Sequence, residues 1–379
     1  MKRLLLVGGG HAQLEVLRSL RHTRFNDTEV VLVSSGRFAA YTGMVPGLLA
    51  GRYSAADMQF DLEALARMAG GSFVNAVAED VDGGGRSAGV NGKRLEFDAC
   101  SIDIGSAPVG YGVPGVMSNA LPLRPLTNVV ELLRRFDLAV GQRGAAAECV
   151  IVGGGAGGVE VALGLAVRGN GRAGIRIVHE GEELIPHAPR RARMLADAAC
   201  QRAGVAVRKN SRVASVSAGA VALSDGVELR SALTVWLTGA APPPMLAAST
   251  LARSSAGYFS VDETLRATDG SAVWGAGDCI TIRGNEWVPK AGVYAVREAP
   301  ILAHNLRVFL TARGRARVYR PQRDFLSILS TSRNRALLLY RGMSVESRWA
   351  AALKDSIDRR FMRRYAIGEG LTHQENQLR

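Results

Sequence analysis

Two glycine-rich strings hold the first residues whose types and spacing could do chemistry. In Gly153-Gly154-Gly155-Ala156-Gly157-Gly158, the residues Gly153, Gly155 and Gly158 satisfy GxGxxG in full, directly after the apolar run Cys149-Val150-Ile151-Val152. Such a turn lets backbone N–H groups approach a pyrophosphate, and the positive end of the helix that follows favours its negative charge. The pattern calls for an acid some 20 residues further on, to accept hydrogen bonds from a ribose diol. Glu180 meets that call at the end of Arg176-Ile177-Val178-His179. The turn Thr238-Gly239-Ala240-Ala241, with Gly239, is assigned to the same nicotinamide nucleotide site.

The other string, Gly8-Gly9-Gly10, is less regular. Gly8 and Gly10 are in place, but the third position is Gln13, and the second strand ends in Ser34-Ser35 where an acid is usual. A glycine turn that only packs a helix on a strand is the bland alternative. Against it stands Asp278 in Gly275-Ala276-Gly277-Asp278, a carboxylate able to accept a hydrogen bond from the ribityl chain of a flavin. Read alone, Asp278 could equally cap the turn that follows. His11 reads as a packing residue at a helix start, and Cys279 as a small buried residue. His179 has no partner at metal-ligand spacing, and no metal site is expected. No Ser-His-Asp or GxSxG constellation is present. Flavin chemistry needs none, because the cofactor performs the redox step.

The elements that must hold these loops repeat. Arg3–Val7 is an apolar strand, followed by the glycine turn, a helix from His11 to Leu20 and a β-branched run, Val30–Val33; the same events recur at 149–166 and Ile175–Val178. Strand, glycine turn, helix, strand is the βαβ unit of a dinucleotide fold. A strand at 272–278 and a helix at 292–310 follow. Gly83-Gly84-Gly85 reads as a hairpin turn. A basic connector, 313–323, leads to strands at 325–329 and 336–340 and a helix from Val345 to Tyr365, with a polar, frayed tail beyond Gly368.

Composition narrows the class. With 379 residues, 47% hydrophobic and 21% charged, the chain can bury cores for two or three domains. No apolar stretch approaches the roughly 18 residues that span a bilayer. The apolar start stops at Gly8 with no cleavage site and reads as a strand. The net charge of +13 comes from arginines scattered without aromatic interleaving, which argues against nucleic acid. Cys100, Cys149, Cys200 and Cys279 form no CxxC pair, which points to a reducing compartment.

Five longer strings sharpen the reading: Gly8–Ala12, Tyr41–Gly47 with Ala50–Ser54, Ser101–Ser106, Pro289–Glu298 and Leu353–Met362. Through them the chain, over residues 1–365, resembles the pyridine nucleotide-disulfide oxidoreductase superfamily, in its type II NADH dehydrogenase-like branch. Within that branch it resembles the group fused to, or found alongside, selenide water dikinase. The resemblance implies an FAD site at Gly8, Gly10, His11, Ala12 and Ser34, with Tyr41, Thr42, Met44 and Pro46 lining the flavin ring. Val77 would meet adenine, Gly105 and Ser106 would close over the cofactor, and Gly277 and Asp278 would hold the ribityl chain. Ala291 and Gly292 would face the pyrimidine end. The redox cysteine pair of disulfide reductases, the flavin-flanking cysteines of sulfide:quinone reductases and the glutamine pair of type II NADH dehydrogenases are absent. Residues 286–300 contain no glutamine and offer Lys290, Tyr294 and Arg297 instead, of which Lys290 and Tyr294 are the candidate catalytic, flavin-proximal residues.

The expected architecture is therefore an α/β fold with two Rossmann-like dinucleotide-binding domains and a small C-terminal α+β module. Residues 1–120 and 245–315 would bind FAD, 121–244 NAD(P)H with NADH favoured by Glu180, and 316–379 would form an interface. Electrons would pass to a quinone or to a selenium or sulfur compound; a flavin-binding sensor with little turnover is the non-enzymatic alternative. On the last helix Trp349, Leu353, Ile357, Phe361 and Tyr365 recur at steps of four among arginines. That stripe suits packing on the chain's own FAD domain or on a second copy in a homodimer, the preferred use of a helical stripe. The competing use is peripheral contact with the inner face of an anionic membrane by a cytoplasmic protein.

Overall fold

Apolar runs that end in glycine turns build two five-stranded sheets, each entirely parallel. The structure, a computed structural model, describes residues 1–23, 25, 27–123, 126–141 and 147–366. The first sheet has the order Val273–Gly275, Ala99–Ile102, Lys2–Val7, Thr28–Ser34, Ser72–Asn75. The second has the order Ala120–Pro122, Leu233–Trp236, Ala147–Val152, Ala173–Val178, Ala206–Arg208. Central strands of a parallel sheet are covered on both faces, which is why Leu4-Leu5-Leu6-Val7 and Val150-Ile151 are unbroken apolar runs and almost fully buried. Each fold also carries a three-stranded antiparallel sheet, 78–96 in one and 213–230 in the other. Gly83–Gly85 closes the first hairpin of the former, with Asp82 accepting from the Gly85 N–H.

The chain crosses between the folds twice, and the two crossings pair as short antiparallel strands, Ala107–Pro108 with Ala240–Ala241. The two cores also interlock. The short helix Val45–Leu49 leaves the first fold and packs on helix Ala156–Gly169 of the second, joining its core. Gly164 permits the contact: a Cβ there would lie 2.9 Å from Leu49 Cβ and 3.2 Å from the Pro46 carbonyl.

The C-terminal segment differs from expectation at one boundary. Val345 lies in a strand, Met343–Ser347, the third of a hairpin sheet with Ser327–Ser330 and Ala336–Tyr340, and the helix begins only at Arg348. Alternation decides it: Ser344 is buried while Met343 and Val345 are exposed, a strand period, and Ser347 then caps the helix by accepting the Ala350 N–H. The helix Arg348–Arg364 splits its apolar stripe. Phe361 and Tyr365 pack on the first fold, whereas Trp349, Leu353 and Ile357 stay exposed beside Met343 and Val345. The tail beyond Gly368 lies outside the described residues.

Candidate functional site

Because all five strands of the first sheet run the same way, their C-terminal ends share one edge, where ligands of open α/β sheets bind. A cleft of ≈ 1030 Å³ lies along it, at the upper end of the roughly 300–1,000 Å³ of small-molecule sites. Gly8 and Gly10 form its floor. Gly8 sits at φ +99°, and a Cβ on it would come within 2.2 Å of the Asp103 carbonyl. A Cβ on Gly10 would fall 2.1 Å from the Asp103 carboxylate. Asp103, just beyond strand Ala99–Ile102, accepts the Ala12 N–H at 2.8 Å and so occupies part of the N-terminus of helix His11–His22. Gln13 fills the place of the third glycine: it is fully buried and donates to the Ser101 carbonyl and hydroxyl at 2.9 and 3.0 Å.

Across the floor, Gly277 (φ +75°) turns the chain so that Asp278 faces the cleft. Beneath this turn lies Glu298, almost fully buried, whose carboxyl accepts the Gly277 N–H at 2.7 Å. Burial, with Asp103 and Asp278 nearby, pushes the Glu298 acid up to about 8. Ser34, Val77, Gly105 and Gly292 line the walls, and nothing lies within 4 Å of where a Cβ on Gly292 would be, so the N-terminus of helix Gly292–Thr311 opens onto the cleft. An extended dinucleotide fits this lining: glycines where a pyrophosphate must approach backbone, a carboxylate for sugar hydroxyls, and a free helix N-terminus for an electron-rich ring.

Several expected residues sit elsewhere. Thr42 lines the cleft together with Val45, and Tyr41, Met44 and Pro46 are not among its lining residues. Tyr41 stacks on Phe361 at 4.4 Å and meets the edge of His11 at 5.7 Å, while Met44 and Pro46 are buried towards the second fold. Ala12, Ser106 and Ala291 also lie outside the lining, although the Ala12 N–H is held by Asp103. Lys290 and Tyr294 do not line it either. The Lys290 ammonium donates to the Ile280 carbonyl and sits 4.0 Å over the Tyr258 ring, and burial pulls it below the ordinary lysine range. Tyr294 is buried and donates to the Gln322 carbonyl at 3.1 Å. Both tie the long helix and the loop before it to neighbouring backbone, and both line a small cavity that adjoins the cleft at Gly277 and Asp278. All four cysteines are buried, and burial pushes the Cys149 and Cys200 thiols up to about 12.

The second glycine loop is more open. Gly153 (φ +124°) would bring a Cβ to 2.1 Å from the Leu237 carbonyl, and Gly158 would bring one to 1.9 Å from the Gly153 carbonyl. Gly155 and Gly157 have nothing within 4 Å at the Cβ position among the described residues, and Gly155, as the N-cap, offers the helix no side-chain cap. The ring Nδ1 of His179 accepts the Gly154 N–H at 3.3 Å, shaping the loop from the next strand. Glu180 is exposed just past that strand, and Gly239 lies in the crossing between folds.

Sequence reasoning missed the role of Asp103, whose position facing Gly10 no local spacing announces. It missed Thr127, Val129 and Val130 and the segment Pro243–Ala248, which wall the cleft from across the chain. It also missed a buried charge cluster behind Thr42. There Lys354 of the last helix donates to the Gly43 carbonyl at 2.8 Å and pairs with Asp358 at 3.2 Å. Glu160, from the helix after the second glycine loop, faces the same ammonium. A lysine and an acid at i and i+4 on an arginine-rich helix look like solvated surface, which hid them.

Comparison with known proteins agrees with this geometry. The family described as pyridine nucleotide-disulphide oxidoreductase matches residues 2–304. An NADH dehydrogenase-like protein of Mycobacterium tuberculosis is 31% identical over 232 residues, 57% of this chain and 56% of that protein. The demethylphylloquinone reductase of Synechocystis is 24% identical over 226 residues, 58% and 56% of the two. The chain spans about half the length of these curated relatives. Among solved structures, NDH2 of Plasmodium falciparum in complex with NADH superposes with a TM-score of 0.81 at 14% identity, over 96% of this chain and 97% of that one. The sulfide:quinone oxidoreductase of Aquifex aeolicus gives 0.79 at 17%, over 96% and 91%. These two likenesses show the fold.

Proposed function

Since the chain belongs to the pyridine nucleotide-disulphide oxidoreductase family, we propose that it is an FAD-dependent oxidoreductase, oxidising NADH and reducing a quinone or another small acceptor. The observation that carries this reading is the pairing of two glycine-loop helix N-termini, one floored into a dinucleotide-sized cleft, the other open. Bound FAD would supply the two-electron chemistry, taking hydride from the nicotinamide and releasing electrons to the acceptor. The protein's part is positional. Gly8 and Gly10 admit the pyrophosphate, Asp278 accepts from the ribityl hydroxyls, and the Gly292 helix end favours negative charge on the ring. Gly153, Gly155 and Gly158 would hold the NADH pyrophosphate, and Glu180 would accept from its ribose and repel a 2′-phosphate. The domain division at 120, 244 and 315 belongs to this proposal.

Relatives named for quinones make a quinone the first acceptor to try, with selenium and sulfur compounds beside it. Among the described residues no helix is long and apolar enough to cross a membrane. The exposed half of the stripe, Trp349, Leu353 and Ile357, with Arg348, Arg359 and Arg360 also exposed, suits lying on an anionic bilayer from the cytoplasmic side. A homodimer is its competitor for that surface.

The test is direct. Purified protein is expected to be yellow, to bleach with NADH and to recover colour with a soluble quinone. Recovery only with selenium or sulfur compounds moves the acceptor to that class. No bleaching leaves a flavin-binding sensor, and protein that takes up no FAD refutes the reading. Binding to anionic liposomes, against dimer mass in their absence, decides the use of the stripe.

A further inference from the structure

The site described above leaves a buried acid without a use. Glu298, in the second turn of helix Gly292–Thr311, is 1% exposed, and its carboxyl accepts the Gly277 N–H at 2.7 Å. A glutamine amide oxygen would accept that bond equally well, with no ionisable group to bury. Glu298 also borders a second, small cavity of ≈ 10 Å³, with room for about one water molecule. The polar lining of this cavity is Asp278, Thr281, Asn285, Lys290, Tyr294 and Glu298 itself. Gly277 and Asp278 line both this cavity and the large cleft, so the two meet at the turn proposed to hold the ribityl chain. On its outer side the cavity is lined by the half-buried Asn285 and the exposed Pro289, next to solvent.

The surroundings of Glu298 decide which form its carboxyl takes. Burial dominates and the carboxylates of Asp103 and Asp278 add to it, while the Gly277 N–H and the Lys290 ammonium oppose them, which leaves the acid at about 8. Tyr294 and Tyr319 face the same carboxyl; burial, and then its charge, pushes both phenols up, so each stays neutral. Lys290 is fixed at the cavity wall by its bond to the Ile280 carbonyl and by the Tyr258 ring 4.0 Å away. At neutral pH Glu298 therefore carries a proton, and Lys290 is placed to offset the charge left when that proton departs.

Reduction of a quinone has a use for such a proton. The balanced turnover is NADH + H⁺ + quinone → NAD⁺ + quinol. The hydride brings both electrons and one hydrogen, so a second proton must enter through the protein. We propose that Glu298 is the proton-holding residue of the acceptor half-reaction, passing its carboxyl proton through the one-water cavity and past Asp278 into the cleft. The proposal rests on the quinone-reducing form of the FAD reading above. The carboxyl O–H bond breaks, its electron pair stays on the carboxylate, and the proton forms an O–H bond of the quinol. The Gly277 N–H and Lys290 then hold the carboxylate until solvent, entering past Asn285, reloads it.

The experiment uses the FAD-loaded full chain and two variants, the near-isosteric Glu298→Gln and Lys290→Met. Protein bleached with NADH is reoxidised in stopped flow by a soluble quinone, which takes up two protons, or by ferricyanide, which takes up electrons alone. Glu298→Gln is expected to slow reoxidation by quinone roughly 100-fold, the scale of a lost general acid. Its reoxidation by ferricyanide and its bleaching by NADH are expected to stay at wild-type rates. In the wild type the quinone rate is expected to fall as pH rises through about 8, where the carboxyl loses its proton, and the ferricyanide rate to stay flat. A second readout needs no turnover. The carboxylic-acid band in infrared difference spectra is expected to titrate near pH 8 in the wild type and to vanish in Glu298→Gln. In Lys290→Met it moves to higher pH, because the cation that favours the charged form is gone. Equal slowing with both acceptors, or slowing with neither, overturns the proposal. If Glu298→Gln does not hold FAD, a wild-type band that is absent or indifferent to Lys290→Met overturns it as well. Wild-type protein that binds no FAD, or that bleaches but is reoxidised by no quinone, overturns instead the functional reading on which the proposal rests.

Discussion

The two glycine loops are near copies in backbone and differ in what closes them. Gly10 and Gly155 cap their helices at nearly the same angles, φ −72°, ψ 172° and φ −70°, ψ 179°. Gly8 and Gly153 donate to the ends of the neighbouring second strands, Val33 and Val178, at 2.8 and 2.9 Å. Each would collide with the end of the strand on its other side, Asp103 or Leu237, if it carried a Cβ. Beyond this the loops diverge. The first is closed from within: Asp103 takes the Ala12 N–H and Gln13 plugs the helix–strand junction. In the second the side-chain contact comes earlier in the loop, where the His179 ring accepts the Gly154 N–H, and Gly158 is drawn against the Gly153 carbonyl. A loop whose N–H groups are partly spoken for suits a resident cofactor held by many other contacts, such as Asp278. An open one suits a nucleotide that arrives and leaves at every turnover. The difference teaches that one backbone motif can be filled differently according to which side chains reach it from other strands.

The contrast can be broken most sharply at Gly158. Gly158→Ala places a methyl 1.9 Å from the Gly153 carbonyl, so the loop must open. NADH-driven bleaching is expected to slow about 100-fold, as for an ångström-scale misplacement, with FAD content unchanged; equal loss of FAD would show that the loops are not independent. Next in size is Asp278→Ala, which removes a charged acceptor worth about 1.5–3 kcal/mol. FAD affinity is expected to fall roughly 10- to 100-fold by that measure, read from absorbance after gel filtration, while NADH binding to the second loop persists. Gln13→Gly then makes the first loop resemble the second. It removes both bonds that Gln13 donates to Ser101 and is expected to lower stability by about 1–3 kcal/mol in denaturant unfolding; a gain would mean that the plug is dispensable. Glu180→Gln acts on the open loop alone and is expected to shift the NADH-over-NADPH ratio of kcat/KM about tenfold toward NADPH, one charged hydrogen bond. Smallest is replacement of all four cysteines by alanine, expected to leave the rate of NADH-driven bleaching unchanged, because each thiol is buried and held neutral.

Much of this architecture was legible in the chain. The apolar runs before Gly8 and Gly153, the helices after them and the hairpin at Gly83–Gly85 follow from local pattern, since strand burial and turn chemistry are set by neighbours in sequence. The C-terminal helix was legible as a helix, but its start was misplaced by three residues because Met343–Ser347 alternates only in the context of its hairpin partner. The candidate site divided in the same way. The glycines and Asp278 could be read from their turns, whereas the backbone partners of Lys290 and Tyr294, the Ile280 and Gln322 carbonyls, could not.

What the sequence determined by itself was therefore the pair of βαβ units and the backbone cradles they must form, because glycine, helix start and strand end lie within a few residues of one another. The tertiary structure alone decided which charges meet those cradles. Asp103 reaches the first cradle at Ala12 across 91 residues, and Lys354 reaches the Gly43 carbonyl, outside both cradles, across 311. A contact at such separation leaves no period or spacing in the chain; it exists only once parallel sheets have stacked their strand ends on one edge and the last helix has folded back over the first fold. Electrostatic interaction depends on distance and burial, not on order along the backbone, so these charge contacts became readable only in the folded molecule.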